Sequence, residues 1–218
     1  MVPTFQWTTF DVSGMLPHGW EMDIYKAATD ADFRDFPRTP VISREAANVQ
    51  RIPRGRVHAY QVEQGLPWLH QLYHSSFLEL AHRVGVGPVM AARDERYGVV
   101  LNVQQGTEMR FECHVDSNSL TALLFLTDHG PSEGGELVIA HDRTAACMAE
   151  IDRWCAVLRP QAGHLVFFDG RRNPHYVRPL SSDAHTRIVA VMNYYTKSCP
   201  ESQRPRELNR HLYGDKCK

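Results

Sequence analysis

The sequence contains little lysine and no excess of charge of either sign. Lysine occurs four times in 218 residues, and the 24 lysines and arginines face 25 aspartates and glutamates, which gives a formal net charge of −1. A nearly neutral chain offers no global electrostatic reason to bind nucleic acid or an anionic membrane. We therefore expect a small molecule as the partner, and neither nucleic acid nor a membrane.

The sequence also lacks paired cysteines and long apolar runs. Its five cysteines are odd in number and form no C-x-x-C pair, and a chain of this length does not depend on disulfide bonds. No apolar run is long enough to span a membrane. The N-terminus shows no basic segment followed by an apolar core, which would indicate a signal peptide. These absences favour a reducing, cytoplasmic setting.

The length and composition are those of one globular domain. The apolar fraction of 43% and the charged fraction of 22% are ordinary for such a domain, and 218 residues suffice for a substantial core. We expect three parts within it: a helix-rich N-terminal part (residues 1–95), a strand-rich core (96–196) and a helical C-terminal tail (197–218). Either a monomer or a homodimer fits this organisation.

Helices are predicted mainly in the N-terminal part. After Pro67, apolar side chains recur at three- and four-residue spacing until Gly85, which indicates one amphipathic helix with proline in its first turn. A weaker helical pattern covers Trp20–Ala31. The charged segment from Pro200 to Gly214 has the character of a final surface helix.

The central part is divided into short strands by turns rich in glycine and proline. Candidate strands are Tyr97–Val103, Met109–Val115, Leu120–Leu126, Glu136–Ala140, Cys155–Leu158, His164–Phe168 and Ile188–Tyr195. Strands at this density after a helical segment indicate an antiparallel barrel or jelly roll buttressed by N-terminal helices. The expected fold class is α+β, mainly β.

The motif His114-Val115-Asp116 is the most informative local feature. On a strand, residues i and i+2 point to the same side, so the imidazole and the carboxylate share one face. With a second imidazole they form a set that suits a ferrous ion and leaves open coordination positions. His175, where another strand begins, is the preferred third ligand. His164 is the alternative, and His185 lies in a polar loop where a solvated role is the default.

Arg187 begins a long apolar strand and shares one face with alternate residues further along it. By alternation that face also carries Val189, Val191, Asn193 and Tyr195. Burial of an arginine is costly unless an acid pairs with it. That acid is either an internal aspartate or glutamate, or a carboxylate of a bound ligand.

Five elements in order resemble the iron(II)/2-oxoglutarate-dependent oxygenase superfamily. They are His114-x-Asp116, Gly134-Gly135-Glu136-Leu137, the strand at Gly163–Phe168, Asn173-Pro174-His175, and Arg187. The resemblance covers roughly residues 96–196 and implies a double-stranded β-helix with iron between its two sheets. It further implies 2-oxoglutarate as cosubstrate with its C5 carboxylate on Arg187, O₂ as oxidant, and release of succinate and CO₂. Glu136 is interpreted as structural.

The segments around Tyr97–Asn102 and Val191–Tyr195 are also similar to small bacterial enzymes that act on free amino acids, a group of hydroxylases and halogenases. The halogenases replace the aspartate by a small residue, so Asp116 favours hydroxylation. Demethylases of nucleic acids usually carry a second arginine where this strand has Asn193 and Tyr195. We expect hydroxylation of an unactivated C–H in a small polar metabolite. Halogenation, desaturation, ring formation, epimerisation and a non-catalytic ligand-binding barrel are the alternatives.

Substrate contacts are suggested by position alone. Glu112 shares the His114 face and either meets a substrate ammonium or is an exposed strand-edge charge, with Arg110 as a possible partner. Asn102 and Asn193 are candidate amide contacts, although a structural role is the more common one for each. The arginine-rich segment 51–56 is interpreted as a solvated loop, with a lid over an acidic substrate group as the minority alternative.

Overall fold

Two antiparallel β-sheets form the centre of the protein. The structure is a computed structural model that describes residues 6–37, 42–45 and 51–213. Its strands are β1 (Trp7–Asp11), β2 (Asp32–Pro37), β3 (Arg51–Val57), β4 (Val89–Ala91), β5 (Val99–Gln105), β6 (Phe111–His114), β7 (Leu120–Phe125), β8 (Leu137–Ala140), β9 (Cys155–Leu158), β10 (His164–Phe168), β11 (His175–Val177) and β12 (Thr186–Thr196).

The strands divide into a larger sheet of eight and a smaller sheet of four. The larger sheet runs β1-β10-β7-β12-β5-β3-β2, with β4 paired to β12, and the smaller runs β6-β11-β8-β9. Neighbours are antiparallel, and from β5 to β12 the chain passes back and forth between the two sheets, except that β8 and β9 are both in the smaller sheet. This arrangement confirms the predicted double-stranded β-helix of a mainly β, α+β protein.

Most helices lie on the outer face of the larger sheet, and the short helix Met148–Ile151 packs on the outer face of the smaller sheet. The α-helices are α1 (Trp20–Ala28), α2 (Ala59–Gly65), α3 (Pro67–His74), α4 (Ser76–Val84), α5 (Met148–Ile151) and α6 (Arg206–Tyr213), and the 3₁₀ helices are Ser13–Met15, Glu95–Tyr97 and Glu201–Gln203. Within the described residues, no helix combines the length and apolar character needed to cross a membrane.

Side-chain alternation along each central strand separates two apolar cores. On β12, Ile188 and Ala190 point outward to the cluster that the helices cover, whereas Val189 points inward to the cluster between the sheets. On β7, Leu124 points outward and Phe125 inward in the same way. Both faces of the larger sheet are therefore buried, which explains why its strands read as continuous apolar runs.

The predicted helix after Pro67 is two helices in the structure. Ser75, between α3 and α4, has φ −123° and ψ −102°, outside the helical region, and its hydroxyl donates to the Gln71 carbonyl. A serine that bonds to the backbone in this way competes with the helical hydrogen-bond pattern. Because of this break, α3 and α4 pack on the sheet as two separate short helices.

The N-terminal part contributes four strands that the sequence pattern did not predict. The arginine-rich segment, interpreted as a solvated loop, lies in β3, inside the larger sheet between β5 and β2. Pro53 argued against a strand, yet β3 pairs with β5 only from Gly55 to Val57, so the proline lies outside that ladder. Alternation then turns Arg54 and Arg56 toward the space between the sheets.

A hydroxyl group ties the helical layer to the sheet, and its removal is expected to destabilise the protein. Tyr73 is fully buried; its hydroxyl donates to the Asn193 carbonyl and accepts from the Ala92 amide, each at 2.7 Å. Tyr73→Phe leaves that buried amide without its partner, which costs about 1–3 kcal/mol. Urea unfolding measures this loss, with the exposed Tyr60→Phe as control; equal stability of the two variants would contradict the assignment.

Candidate metal centre

Two histidines and an aspartate converge at one end of the space between the sheets. His114 ends β6 and His175 begins β11, and the two are direct partners in the antiparallel register. The Asp116 carboxylate lies 3.6 Å from His114 Nε2 and 3.7 Å from His175 Nε2. One ligand atom from each of the three lies within 4.8 Å of the others, so a single ion could contact all three.

Backbone carbonyls fix the orientation of both imidazoles. His114 Nδ1 lies 2.5 Å from the Glu112 carbonyl, and His175 Nδ1 lies 3.0 Å from the Asn173 carbonyl. A carbonyl only accepts, so each Nδ1 carries the proton and each Nε2 keeps its lone pair. Both lone pairs face the Asp116 carboxylate, which also only accepts. Acceptors that face one another across such a gap form a site for a cation, and the carbonyl contacts are the outer support that histidine ligands require.

Burial keeps His175 neutral. Burial and the nearby His114 lower the pKa of His175 to about 4, and Asp116 partly opposes this shift. The Phe168 ring packs edge-on against the imidazole with centroids 4.8 Å apart. At neutral pH the ring therefore presents a free lone pair without first losing a proton.

Two hydrogen bonds, one from the side chain of a neighbouring residue and one to the backbone, hold Asp116 in place. The Thr121 hydroxyl donates to Asp116 Oδ2, and the Asp116 amide donates to the Gly170 carbonyl at 2.8 Å. A side chain at Gly170 would lie against that carboxylate and the Thr121 hydroxyl. A glycine at this position is thus required by the close approach of the two segments.

The guanidinium of Arg187 lies in the same cavity as the triad. Arg187 is 1% exposed, and its Nε and one terminal nitrogen have no hydrogen-bond partner. Burial lowers the pKa of Arg187 to about 9, with the charge of Glu136 opposing, so the group is cationic at neutral pH. No described carboxylate hydrogen-bonds to it, and the centroid of the Phe125 ring lies 5.7 Å from the guanidinium carbon. The guanidinium is thus a buried cation with two unpartnered donors.

The paired glycines before β8 make room for this arginine. Gly134 and Gly135 have φ of +81° and +77°, a region that side chains rarely adopt. A Cβ on Gly135 would lie 2.9 Å from Arg187 Cδ. The Gly134-Gly135 motif, one of the elements that resemble the family, therefore leaves the space that the Arg187 side chain needs to reach the cavity.

A second, connected cavity extends from the triad past Glu112 and Arg54. Glu112 is 3% exposed; the nearest Arg54 nitrogen lies 4.0 Å from its Oε2, and that oxygen accepts no hydrogen bond. Burial lowers the pKa of Arg54 to about 10, with Glu112 opposing. Arg56 and Asn102 line the same cavity, which therefore offers both signs of charge.

The other predicted site residues occupy distinct places. Asn102 lines both cavities, whereas the Asn193 amide nitrogen already donates to the Tyr97 carbonyl at 2.7 Å. His164 faces a different cavity beside Thr9, away from the triad. The suggested pairing of Arg110 with Glu112 is wrong, because Arg110 binds Glu45 at 2.8 Å.

Phe111 reaches the cavity beside Glu112 through an irregularity in β6. His175 pairs with His114 but Val177 pairs with Phe111, so two residues of β6 face one of β11. Such a β-bulge re-aims side chains and is common beside active sites. Glu112 and Phe111 consequently both line the cavity, and the alternative of an exposed strand-edge charge at Glu112 is wrong.

Sequence reasoning missed the Thr121 hydroxyl and Gly170, and it gave the segment that contains Arg54 a substrate contact only as the minority alternative. The alternation of arginine with small residues over Arg54-Gly55-Arg56-Val57 was the available signal for Arg54. No local pattern marks Thr121 or Gly170, since both matter only through contact with Asp116.

The family comparison agrees with this geometry. A family model described as the 2OG-Fe(II) oxygenase superfamily matches residues 95–195, the segment that carries the triad and Arg187. Over this segment the chain is similar to that superfamily, and the triad with Arg187 fits the Fe(II), 2-oxoglutarate and O₂ on which such oxygenases depend. No curated protein matches the chain.

Solved structures of this class share the fold at low sequence identity. The 2-oxoglutarate-dependent epimerase SnoN from nogalamycin biosynthesis has a TM-score of 0.60 at 15% identity, over 88% of this chain and 78% of that one. A prolyl hydroxylase from Trichoplax adhaerens, in complex with a hypoxia inducible factor peptide, scores 0.60 at 15%, over 92% and 86%. HygX from Streptomyces hygroscopicus, with nickel and 2-oxoglutarate bound, scores 0.59 at 12%, over 89% and 84%.

Loss of the Thr121 hydroxyl is expected to weaken metal binding without removing a ligand. Thr121→Val keeps the shape but frees Asp116 to rotate, and loss of such a supporting contact typically costs 10- to 100-fold in metal affinity. Anaerobic Fe(II) titration in the presence of 2-oxoglutarate, followed by the charge-transfer absorption of the complex, measures this affinity. Thr9→Val on exposed β1 is the control, and an unchanged affinity in Thr121→Val would contradict the support role.

Proposed function

We propose that this oxygenase hydroxylates a small polar metabolite that carries both an ammonium and a carboxylate group, a free amino acid or a derivative of one. His114, Asp116 and His175 bind Fe(II) in this proposal, and Arg187 binds the distal carboxylate of 2-oxoglutarate. The observation that carries it is the buried, anion-free guanidinium of Arg187 in the same cavity as three converging metal-ligand side chains.

The three side chains suit a ferrous ion. Two neutral imidazoles and one carboxylate on one side of a cavity are the ligand set of non-haem Fe(II) oxygenases, and they leave positions open for other molecules. When bound, Fe(II) with 2-oxoglutarate and O₂ supplies the oxidising power that exchanges a C–H hydrogen for hydroxyl and releases succinate and CO₂. The protein's own part is to hold the ligands rigid, as the Glu112 and Asn173 carbonyls and Thr121 do.

Arg187 supports 2-oxoglutarate as the missing anion. Its planar guanidinium matches a carboxylate in two-pronged geometry, and its two unpartnered nitrogens are buried donors. Such donors cost free energy until an acceptor binds. The inner apolar residues Leu123 and Val189 line the same cavity, so the carboxylate would enter a dry environment in which the ion pair is strong.

The connected cavity supports a zwitterionic substrate. Glu112 offers a buried carboxylate oxygen that accepts no hydrogen bond, which suits an ammonium group. Arg54 and Arg56 approach from β3 and suit a carboxylate. Asn102 lies where the two cavities join, within reach of a substrate that extends toward the triad.

Asp116 favours hydroxylation over halogenation. Its carboxylate occupies the third protein position, held there by Thr121 and Gly170, so a chloride ion would find that position taken. Desaturation, ring formation and epimerisation use the same ligands. The four described cysteines are free thiols, which supports a reducing cytoplasm as the place where ferrous iron also persists.

A screen of free amino acids and related metabolites tests the proposal directly. With Fe(II), 2-oxoglutarate and air, the correct substrate should give stoichiometric succinate and a product heavier by one oxygen atom. In Glu112→Gln, the KM for that substrate should rise about 10- to 100-fold, because a hydrogen bond to a charged group contributes about 1.5–3 kcal/mol. The KM for 2-oxoglutarate should stay the same.

Glu108→Gln, an exposed acid on the turn before β6, is the matched control for Glu112→Gln and should behave as wild type. A product that carries chlorine, or has lost two hydrogens, would redirect the proposal to halogenation or desaturation. An absence of substrate-dependent succinate across the whole panel would favour a non-catalytic binding barrel.

Replacement of Arg187 is expected to affect the cosubstrate selectively. Arg187→Met should raise the KM for 2-oxoglutarate about 30-fold or more, because removal of one partner of a buried charge pair costs about 2–5 kcal/mol. Succinate formation against 2-oxoglutarate concentration measures this, with the exposed Arg153→Met as control. An unchanged KM for 2-oxoglutarate would assign Arg187 a structural role instead.

A further inference from the structure

A second cluster of metal-ligand side chains lies at the Arg187 end of the fold. His129 and Glu133 lie on the loop between β7 and β8, and His185 lies on the loop before β12. One ligand atom from each lies within 4.8 Å of the others. None of the three lines the cavity that holds the first triad, so the proposed oxygenase chemistry does not use them.

The tautomer of His129 follows from its contact with the backbone. His129 is 7% exposed, and its Nε2 lies 3.2 Å from the Thr186 carbonyl. Since the carbonyl only accepts, Nε2 carries the proton and Nδ1 keeps a lone pair. That buried Nδ1 has no hydrogen-bond partner and faces the Glu133 carboxylate, with Oε2 at 4.0 Å. Burial also lowers the pKa of His129, which favours the neutral ring.

His185 adds a second unsatisfied nitrogen. Its Nδ1 is buried without a hydrogen-bond partner, and its ring stands nearly perpendicular to that of His129, with centroids 6.0 Å apart. The His129 lone pair, a second unpartnered imidazole nitrogen and a carboxylate thus lie close together, and no group of the described chain donates to either nitrogen. His129 repeats a feature of the first triad, since a carbonyl fixes its imidazole and its lone pair faces an acid.

The two loops are already held together by the backbone. The Ser181 amide donates to the Glu133 carbonyl at 2.9 Å, and the Gly135 amide donates to the Pro179 carbonyl at 3.3 Å. The Gly130 amide donates to Glu133 Oε2 at 2.7 Å, which orients the carboxylate. The cluster therefore needs little rearrangement to bind an ion.

We propose that His129, Glu133 and His185 form a second site for a divalent metal ion of the zinc type, separate from the oxygenase iron. Two imidazoles and one carboxylate suit Zn²⁺, whereas Ca²⁺ and Mg²⁺ prefer oxygen ligands throughout. The Glu133 side chain is 42% exposed, so solvent can reach the site and water can complete the coordination. A bound ion cross-links the two loops that flank Arg187.

The surface trio His70, His74 and Glu95 is the competing cluster. It is weaker as a site because its groups are more exposed and already interact: His70 Nε2 lies 3.4 Å from Glu95 Oε2, within hydrogen-bond distance. No ring nitrogen there is both buried and unpartnered. It serves as the matched control.

Zinc titration of the metal-free, full-length protein against a chromophoric chelator tests the site. We expect two tight equivalents in the wild type and one in His114→Ala, which disables the first triad alone. His185→Gln and Glu133→Gln should each weaken the second equivalent by about 100-fold or more, since even supporting contacts contribute 10- to 100-fold. His70→Gln/His74→Gln should keep both equivalents. Thermal unfolding in chelator verifies that each variant folds.

Anomalous diffraction at the zinc edge then locates the second ion. Density between His129, Glu133 and His185 is the expected result. A single tight equivalent in the wild type, or a second equivalent that disappears in His70→Gln/His74→Gln, would overturn the proposal. The His114→Ala protein lacks the oxygenase site, so its remaining equivalent reports on the second site whether or not the proposed hydroxylation is correct.

Discussion

The register of β6 against β11 is the constraint on which the site depends. It sets His114 directly opposite His175, so that both imidazoles project to the same side and toward Asp116. A shift of one residue in either strand would turn one imidazole to the opposite face, where Cys113 and Tyr176 pack against α5. Because Cys113 and Tyr176 are buried on the outer face of the smaller sheet, His114 and His175 are held on its inner face.

Unsatisfied polar groups follow from that constraint and define the chemistry. The Nε2 atoms of His114 and His175 face the Asp116 carboxylate, which only accepts, and two buried nitrogens of Arg187 have no acceptor among the described residues. Buried groups of this kind are rare in stable proteins. In the proposed function a cation and an anion bind in this one cavity and supply the missing partners.

The sequence predicted the core better than its periphery for physical reasons. Strands from 96 to 196 are short, apolar and separated by turn residues, and this pattern is local, so every predicted strand there is confirmed. The strands β1 to β3 are polar or contain proline, and β4 is only three residues long. β1, β3 and β4 pair with the distant strands β10, β5 and β12. No local periodicity records such pairing.

The candidate site shows the same division between local and distant information. His114 and Asp116 are recognisable by their spacing, and Arg187 by its place on an apolar strand. His164 pairs with Asp11 on β1 and lines a different cavity from the triad, which spacing does not encode. A bulge brings Phe111 into the cavity beside Glu112, and the support of Asp116 by Thr121 and Gly170 arises from contacts between separate segments.

The span of the long strand β12 would limit the combined length of the molecules that share the cavity. Arg187 and Asn193 lie on its inward face six residues apart, which corresponds to about 20 Å along the strand at 3.3 Å per residue. A cosubstrate of fixed length bound at the Arg187 end of that span would leave a fixed length of cavity beyond the metal for the substrate. The cavity would then select among homologous substrates by their length, because each added methylene would move the reactive carbon away from its position beside the metal.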